Sequence, residues 1–171
     1  RSYNSCGWGT QGSATITINN APAATTVCCS GTYCNSTTLT ASGGSGGTIY
    51  WQGTISGGTS MSTPTTSQTV TSSGTYYFRS YNSCGWGTQG SSTVTINDAP
   101  ASTTVSGGGT YCNSATLTAS GGSGGTIYWQ GTTSNGTSSA TPSTNQTVTS
   151  SGTYYFRSYN SCGWGTQGSA N

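Results

Sequence analysis

The sequence of 171 residues contains no histidine, no lysine and no glutamate, and its only charged side chains are three arginines and one aspartate. General acid–base catalysis needs a side chain that titrates near neutral pH, and a nucleophilic hydroxyl or thiol group needs an adjacent base. The lone Asp98 supplies neither, and it cannot supply the two carboxylates of a glycoside hydrolase. Histidine ligands and clustered carboxylate ligands for a metal ion are lacking as well. We therefore expect a protein that is not an enzyme and has no cofactor and no metal.

Charge and hydropathy limit the partners in the same way. The formal net charge of +2 is too small for a surface that neutralises a nucleic-acid backbone, so nucleic acid is not an expected partner. No apolar run approaches the roughly 20 residues that a membrane-spanning helix requires, and no signal peptide is visible. We expect soluble, mature material whose sorting signal lies outside this stretch of sequence.

Large aliphatic side chains and phenylalanine are scarce. Leu, Ile, Val and Phe together make up 15 of the 171 residues, which is below the roughly 20% under which disorder is suspected. Disorder is nevertheless not expected, because the net charge is low, aromatic residues reach 11% and hydrophobic positions recur at strand spacing. The predicted core is small, so covalent cross-links should contribute a large share of its stability.

What the sequence does have is a repeat. The string RSYNSCGWGTQGS begins at Arg1, Arg79 and Arg157, so the copies follow one another with a period of 78. Residues 1–78 and 79–156 align without a gap and differ at 14 positions. Such near-identity predicts a tandem array of equal modules in which each copy contacts its neighbours.

The joints between modules are predicted at the dipeptides Ala21-Pro22 and Ala99-Pro100, which lie in segments with turn chemistry. They divide the chain into three parts. Residues 1–20 are the C-terminal strands of a preceding module, residues 21–98 are a module, and residues 99–171 are a module that lacks the end of its last strand.

Five of the seven cysteines follow the period. Cys34 and Cys112 form one class, and Cys6, Cys84 and Cys162 form the other. The two classes are separated by the same interval of 50 in each copy, which predicts the disulfides Cys34–Cys84 and Cys112–Cys162 and leaves Cys6 for a partner upstream. Closing a loop of this size stabilises a protein by about 4 kcal/mol in the chain-entropy model. A zinc site would need close Cys-x-x-Cys pairs or histidine, so disulfides and an oxidising, extracellular compartment are favoured.

Cys28 and Cys29 do not belong to this framework, because Ser106 and Gly107 stand at the same positions of the next copy. A vicinal disulfide, a link to a neighbouring chain and a mistaken residue assignment are all open interpretations of the pair.

Hydrophobic alternation predicts short strands throughout the repeat and no helix. The predicted strands of the later copy are 103–105, 115–119, 126–130, 146–149 and 153–159, and the closing strand is seen at 15–18 and 93–96 of the earlier copies. Parity predicts that Ile127, Trp129, Tyr154 and Phe156 point inward, whereas Tyr128, Gln130, Tyr155, Arg157 and Tyr159 point outward. Six or seven short strands in each copy of the repeat predict a β-sandwich.

Several motifs of the repeat resemble those of immunoglobulin-like domains. They are an inward Trp on the third strand, Gly-Thr-Tyr at the opening of the sixth, and the series Thr-Tyr-Cys, Gly-Gly-Thr-Ile-Tyr-Trp, Gly-Thr-Tyr-Tyr-Phe and Thr-Val-Thr-Ile. Over essentially the whole chain, this pattern is similar to the Ig-like repeats of large secreted surface and adhesin proteins of Bacteroidota. The resemblance implies tandem Ig-like β-sandwich modules. In contrast to antibody domains, the cysteines precede and follow their strands, so the predicted disulfide lies near one end of the sandwich.

The loop Asn-Ser-Cys-Gly-Trp-Gly-Thr-Gln-Gly places Trp8, Trp86 and Trp164 between glycines in all three copies. One interpretation is an exposed platform on which a sugar ring stacks. The other, which we favour, packs the indole over the disulfide or into the joint with the next module, and it accounts for the near-identity of the copies.

A second candidate surface is a stripe of outward tyrosines within which Arg79 and Arg157 lie. Its tyrosines are Tyr50, Tyr77 and Tyr81 and their equivalents in the next copy, Tyr128, Tyr155 and Tyr159. An aromatic stripe of this kind suits lateral association or ligand binding, since Tyr and Arg are favoured contact residues. Shielding of a thin sheet, or packing beneath attached glycan, is an equal alternative.

Serine and threonine are dense in residues 54–73 and 132–151, which together with the lack of charge favours O-glycosylation. Asn-x-Ser/Thr sequons occur at Asn35, Asn135 and Asn145, and none is kept in the other copy. Covalent glycan is therefore an expected partner of the chain.

Together these observations predict a secreted structural protein, a fibre, stalk or adhesin shaft whose modules contact their neighbours head to tail. Each module would extend the array by roughly 30–40 Å, at about 3.3 Å per strand residue. The alternative is an array of carbohydrate-binding modules that uses the loop Trp and outward Tyr residues on surface carbohydrate. A third hypothesis is pairing of an exposed hydrophobic edge strand with a neighbouring chain.

Overall fold

The computed structural model describes residues 1–171 and contains only strands, turns and extended segments. No helix in it is long and apolar enough to cross a membrane. The N-terminal hairpin comprises β1 (Tyr3–Asn4) and β2 (Gly7–Trp8). The first sandwich comprises β3 (Thr25–Val27), β4 (Gly31–Cys34), β5 (Thr37–Gly43), β6 (Thr48–Trp51), β7 (Ser67–Val70), β8 (Gly74–Asn82), β9 (Gly85–Trp86) and β10 (Gly90–Asn97). The second comprises β11 (Thr103–Ser106), β12 (Ala115–Gly121), β13 (Thr126–Trp129), β14 (Asn145–Val148), β15 (Tyr154–Asn160), β16 (Gly163–Trp164) and β17 (Gly168–Ala170).

Each sandwich has two sheets, and the strand order is that of an immunoglobulin-like domain. In the first sandwich, one sheet has the order β3-β5-β7 and the other the order β4-β10-β8-β6, with β9 beside β8. The pairing of β4 with β10 is parallel and the others are antiparallel. In the second sandwich, β11-β12-β14 faces β13-β15, which also carries β16 and β17. The predicted all-β, Ig-like sandwich fold is therefore confirmed.

The core of each sandwich is made by alternate residues of facing strands. In the first, Phe78 is fully buried and Trp51 packs on it edge to face, with ring centroids 5.0 Å apart. Phe156 and Trp129 repeat this pair at 4.9 Å in the second. A fully buried Phe contributes about 1.5–3 kcal/mol, so these rings carry much of a core in which only 26 of 171 residues are buried. The predicted inward parity of the aromatic residues is confirmed.

Gln130 departs from the predicted parity, because it is buried rather than exposed to solvent. Its side-chain NH2 group donates to the carbonyl of Ser138 at 2.9 Å, and its side-chain oxygen accepts from the main-chain N–H of Ser138 at 2.9 Å. The two bonds close the loop that follows β13. Gln52 makes the same pair of bonds with Ser60 in the first sandwich.

The predicted strand 15–18 is wrong, since residues 9–24 form no strand and Ile16 and Ile18 are both 82% exposed. The equivalent strand β10 lies between β8 and β4, which satisfy its main-chain groups on both sides. Residues 1–20 contain only the last part of a counterpart of β8 and no counterpart of β4. A strand without hydrogen-bonded neighbours does not form.

The two predicted disulfides are also wrong. Cys34 is bonded to Cys162, Cys28 is bonded to Cys29, and Cys6, Cys84 and Cys112 are free. The reason lies in β8. Cys34 ends β4 beside Asn97, beyond the start of β8, whereas Cys84 follows the end of β8. The length of β8 separates these ends by roughly 30 Å, and a disulfide spans Cα atoms only about 4.4–6.8 Å apart.

Candidate functional site

The Arg–Trp face is the first candidate surface, and it consists of Tyr50, Arg79, Tyr81 and Trp86 on the outer side of the sheet of the first sandwich. The turn after β8 folds Trp86 back beside Tyr81, with ring centroids 4.8 Å apart. The ring of Tyr50, on β6, meets the indole edge to face at 5.9 Å. All these side chains are half-buried, so the indole packs against its own sheet.

Arg79 holds this cluster in place through two hydrogen bonds and a contact with the indole. Its Nε donates to the carbonyl of Gly87 at 2.7 Å, and its Nη1 donates to the carbonyl of Gly57 at 3.4 Å. The guanidinium carbon lies 5.5 Å from the centroid of the Trp86 ring, within the range of a cation–π interaction. Gly87 is buried, and a Cβ there would lie 2.6 Å from the carbonyl oxygen of Pro22. The arginine therefore holds a loop in which position 87 accommodates only glycine.

The second sandwich repeats the Arg–Trp face with Tyr128, Arg157, Tyr159 and Trp164. Trp164 lies 4.7 Å from Tyr159 and 5.8 Å from Tyr128 between centroids. Arg157 donates from Nε to the carbonyl of Gly165 at 2.7 Å. Each cluster lies within one sandwich, and the aromatic and cationic neighbours of each indole all belong to its own sheet.

Trp8 differs from the other two indoles because 64% of its surface is exposed. It keeps the contact with the neighbouring Tyr3, at 4.8 Å, and Arg1 donates from Nε to the carbonyl of Gly9 at 2.9 Å. The N-terminal hairpin has no strand in the place of β6, so no ring covers the second edge of the indole.

The joint between the sandwiches is the second candidate site, and we define it as residues 98–100 with the facing turn of residues 160–163. The side-chain amide of Asn160 donates to the carbonyl of Asp98 and to that of Gly124, both at 2.9 Å. Its Oδ1 accepts from the amide of Cys162 at 2.8 Å. This places Cys162 beside Cys34, with their Cα atoms 5.3 Å apart, and the disulfide joins the two sandwiches.

The turn at residues 82–85 shows the same arrangement on the other side of the first sandwich. Asn82 donates to the carbonyl of Asn20 at 2.9 Å and to that of Gly46 at 2.8 Å, and it accepts from the amide of Cys84 at 2.8 Å. Cys84 itself is exposed and free. The sequence analysis did not single out Asn82 and Asn160, although both occupy the same position of the repeat.

The three sequon asparagines are all exposed. Asn35 follows Cys34 and has a φ of 66°. Its main-chain N–H donates to the carbonyl of Asn97 at 2.9 Å. The main-chain N–H of Asn135 donates to the side-chain oxygen of Gln167 at 2.6 Å. The side-chain oxygen of Asn145 accepts from the hydroxyl of Thr118 at 2.9 Å. The structure therefore places them on three separate segments and does not bring them together.

The vicinal pair Cys28–Cys29 lies after β3, where the chain turns toward β4. Cys29 has φ of 76°, and Gly107 holds φ of 91° at the same position of the second sandwich. A positive φ costs a side-chain-bearing residue more than it costs glycine. The hydroxyl of Tyr33 donates to the carbonyl of Cys29 at 3.1 Å, which holds this turn in place. No group of three His, Cys, Asp or Glu residues in the chain could hold a metal ion.

No protein-family model and no curated protein matches this chain. Among solved structures, it is similar to domains A168–A170 of titin, with 17% identity, a TM-score of 0.42 and coverage of 86% of this chain and 64% of that one. It is also similar to the N-terminal four Ig domains of Dscam1 isoform 6.9, with 14% identity, a TM-score of 0.40 and coverage of 92% and 47%. The corresponding values for the FN1–FN3 domains of chicken CNTN1 are 16%, 0.35, 88% and 67%. The chain thus spans less than two thirds of the titin and Dscam1 chains.

Proposed function

We propose that this protein is an extracellular structural protein in which Ig-like modules, joined end to end, form a fibre, a stalk or the shaft of an adhesin. The observation that carries the proposal is the Cys34–Cys162 disulfide, which lies across the joint and not inside a sandwich. A bond in this place adds little to the packing of either core. It fixes the distance and angle between neighbouring modules, which is what a load-bearing spacer requires.

The rest of the chain supports a passive role. The joint also has the hydrogen bond from Asn160 to the carbonyl of Asp98, so a covalent and a polar contact together restrict bending. Disulfides persist in oxidising compartments, which favours secretion or display at the cell surface. Three arginines and one aspartate leave the surface almost without charge, and attached glycan would supply its solubility.

Small-angle X-ray scattering of the oxidised chain tests the proposal. Two sandwiches end to end, with centres roughly 30–40 Å apart, give a radius of gyration of roughly 19–23 Å, whereas a compact globule of this length gives about 16 Å. We expect the larger value. The smaller value would mean that the sandwiches lie side by side, and the spacer function would then be untenable.

The second candidate function is carbohydrate binding by the Arg–Trp face, favoured by half-exposed aromatic rings on an outer sheet surface. The Arg79 guanidinium and the Tyr81 ring already occupy much of the Trp86 indole, which leaves less of it free for a sugar. Glycan-array binding of Trp86→Ala compared with its thermal unfolding separates the two functions. Loss of binding with an unchanged melting temperature would establish the carbohydrate site, and loss of stability without any binding change would exclude it.

A further inference from the structure

The two sandwiches are nearly identical, and the changes between them are concentrated in one stretch of the chain. Six of the 14 differences between the two aligned copies fall in residues 55–67, in and beside the loop that follows β6. Two of the six put Asn135 and Asn145 in the places of Gly57 and Ser67, and each of these asparagines begins an Asn-x-Thr sequon. The second sandwich therefore gains here what the first one lacks, the side-chain amide of an N-glycosylation acceptor.

Asn135 lies in the loop after β13, and its sequon is free at both ends. Its φ is 54°, and Gly57 has a φ of 70° at the same position of the first sandwich. The main chain is fixed, because the N–H of Asn135 donates to the side-chain oxygen of Gln167 at 2.6 Å and its carbonyl accepts from Arg157 at 3.4 Å. The side chains of Asn135 and Thr137 are exposed and make no hydrogen bond within the chain. A transferase can therefore reach the carboxamide and the hydroxyl group without unfolding the loop.

The sequon at Asn145 is part of the sheet. Asn145 is the first residue of β14, where it pairs with Thr118 of β12, and its Oδ1 accepts from the Thr118 hydroxyl at 2.9 Å. The Thr147 hydroxyl, at the other end of the sequon, lies 3.3 Å from that of Thr116. A transferase would have to break these contacts and separate β14 from β12 before it could modify Asn145.

The sequon at Asn35 is held in a similar way. Asn35 follows Cys34, which is bonded to Cys162, and its main-chain N–H donates to the carbonyl of Asn97. Thr37, the third residue of the sequon, is half-buried in β5 and pairs with Val70 of β7. Of the three sequons, that of Asn135 is thus the one whose asparagine and threonine are both free in the folded chain.

The free sequon lies at the edge of the Arg–Trp face of the second sandwich. The guanidinium that donates to the carbonyl of Asn135 has its carbon 5.6 Å from the centroid of the Trp164 ring. Arg157 carries five N–H donors, and the bonds to Gly165 and Asn135 use two of them. The remaining donors suit the hydroxyl groups of a sugar, and the half-buried indole offers apolar surface beside them.

We propose that Asn135 is a glycan attachment site and that the sugar joined to it lies against Arg157 and Trp164. The Nδ2 atom attacks the anomeric carbon of a sugar that carries a diphosphate leaving group. The N–C bond forms as the C–O bond to the diphosphate breaks, and one amide proton passes to a base of the transferase. The proposal rests on the proposed function, since attached glycan is what makes the nearly uncharged surface of an extracellular spacer soluble.

The first test compares the three sequons in the folded chain. The oxidised chain is incubated with a soluble asparagine glycosyltransferase and a nucleoside diphosphate hexose, and the modified residues are located by peptide mass spectrometry. We expect a hexose on Asn135 and at least tenfold lower occupancy at Asn35 and Asn145. A peptide digest of the same chain is the control and should be modified at all three. An unmodified Asn135 in the folded chain, or equal occupancy at Asn145, would overturn the assignment.

The first sandwich allows the same site to be built where none exists. Gly57→Asn creates a sequon with Thr59 in a loop whose main chain is held by Gln89 and Arg79, as that of Asn135 is held by its equivalents. We expect this position to be modified as fully as Asn135. The matched control is Ser67→Asn, which creates a sequon with Thr69 inside β7 and should stay unmodified. Equal modification at positions 57 and 67 would show that the loop does not select the acceptor.

The placement of the sugar is tested separately by the indole N–H signals in a ¹⁵N-correlated NMR spectrum, assigned with Trp86→Phe and Trp164→Phe. Attachment of hexose to Asn135 should shift the signal of Trp164 and leave that of Trp86 in place, because Gly57 carries no sugar. A modified chain with an unshifted Trp164 signal would mean that the sugar extends into solvent, which contradicts the placement. The scattering measurement is made on unmodified chain, so that the spacer function and the glycan site can fail independently.

Discussion

Cys34 and Cys162 are bonded to each other across a sequence separation of 128, because the end of β4 and the turn after β15 meet at the joint between the two sandwiches. Their equivalents within one module lie at opposite ends of the long strand β8 and cannot meet. The same two classes of cysteine that looked like an internal pair therefore link one module to the next. This changes what the bond does, from closing a small core to fixing a joint.

Removal of this bond by Cys34→Ser should therefore loosen the joint more than it disturbs either sandwich. The chain-entropy model gives up to about 5 kcal/mol for a closed loop of this length, and this applies to unfolding of both sandwiches. We expect calorimetry to show one transition for the oxidised parent chain and two for Cys34→Ser. Cys112→Ser is the control, since Cys112 is free and exposed, and it should leave the transition unchanged. An unsplit transition in the Cys34→Ser chain would show that the joint is held by other contacts.

Much of the strand content could be predicted from the sequence, because local alternation is enough to place β12, β13 and β15. The positions of Phe156 and Trp129 in the core follow from the same period of two. Other features depend on contacts between segments far apart in sequence. The burial of Gln130 depends on a loop that its own side chain closes, and the two-residue strand Gly163–Trp164 is too short to show any alternation.

The pairing of the cysteines could not be predicted for a related reason. The constant interval between the two classes is a property of the sequence alone. It does not show that the two classes lie at opposite ends of the long strand β8. The exposure of Ile16 and Ile18 could not be predicted either, since residues 15–19 have the sequence of a good strand. What decides it is the presence or absence of neighbouring strands.

Truncation of the central aromatic residue of the first core tests how much this residue contributes to the free energy of unfolding. Phe78→Ala removes a fully buried ring, and we expect a loss of about 3–5 kcal/mol in the free energy of unfolding, measured by urea denaturation. Tyr77→Ala, one residue earlier on the same strand but on the outer face, is the matched control and should cost less than half as much. Equal losses would mean that the outer aromatic residues carry as much of the stability as the core does.

The Arg–Trp face should behave as a structural cluster. Arg79→Lys keeps the charge but loses the planar group that donates to the carbonyls of Gly87 and Gly57 and lies against Trp86. We expect a loss of about 1–2 kcal/mol and a shift in the tryptophan fluorescence maximum. Arg1→Lys, in the exposed N-terminal hairpin, serves as the control and should leave the unfolding curve in place. An Arg79→Lys chain as stable as the parent would return the cluster to the candidate ligand sites.

Gly125 should not tolerate a side chain. A Cβ there would overlap the ring of Pro100 and lie 2.8 Å from the carbonyl oxygen of Tyr159, so Gly125→Ala must displace the linker from the second sandwich. Gly12→Ala is the control, because a Cβ at Gly12 meets nothing within 4 Å. We expect faster proteolysis of the 98–101 segment in Gly125→Ala only. Identical cleavage in the two variants would show that the linker does not depend on this contact.

The hydrogen bond at the joint can be separated from the disulfide by a change of one side-chain group. Asn160→Asp keeps the oxygen that accepts from the amide of Cys162 but removes the NH2 group that donates to the carbonyls of Asp98 and Gly124. A carboxylate facing two carbonyl oxygens is repulsive, so we expect the joint to open while the turn stays folded. The measurement is the spread of inter-module angles from residual dipolar couplings, which should widen in Asn160→Asp. Asn82→Asp makes the same change in the turn at residues 82–85 and should leave that spread unaltered, because its partner Asn20 lies outside both sandwiches. A widened spread in both variants, or in neither, would mean that the amide of Asn160 does not set the angle of this joint.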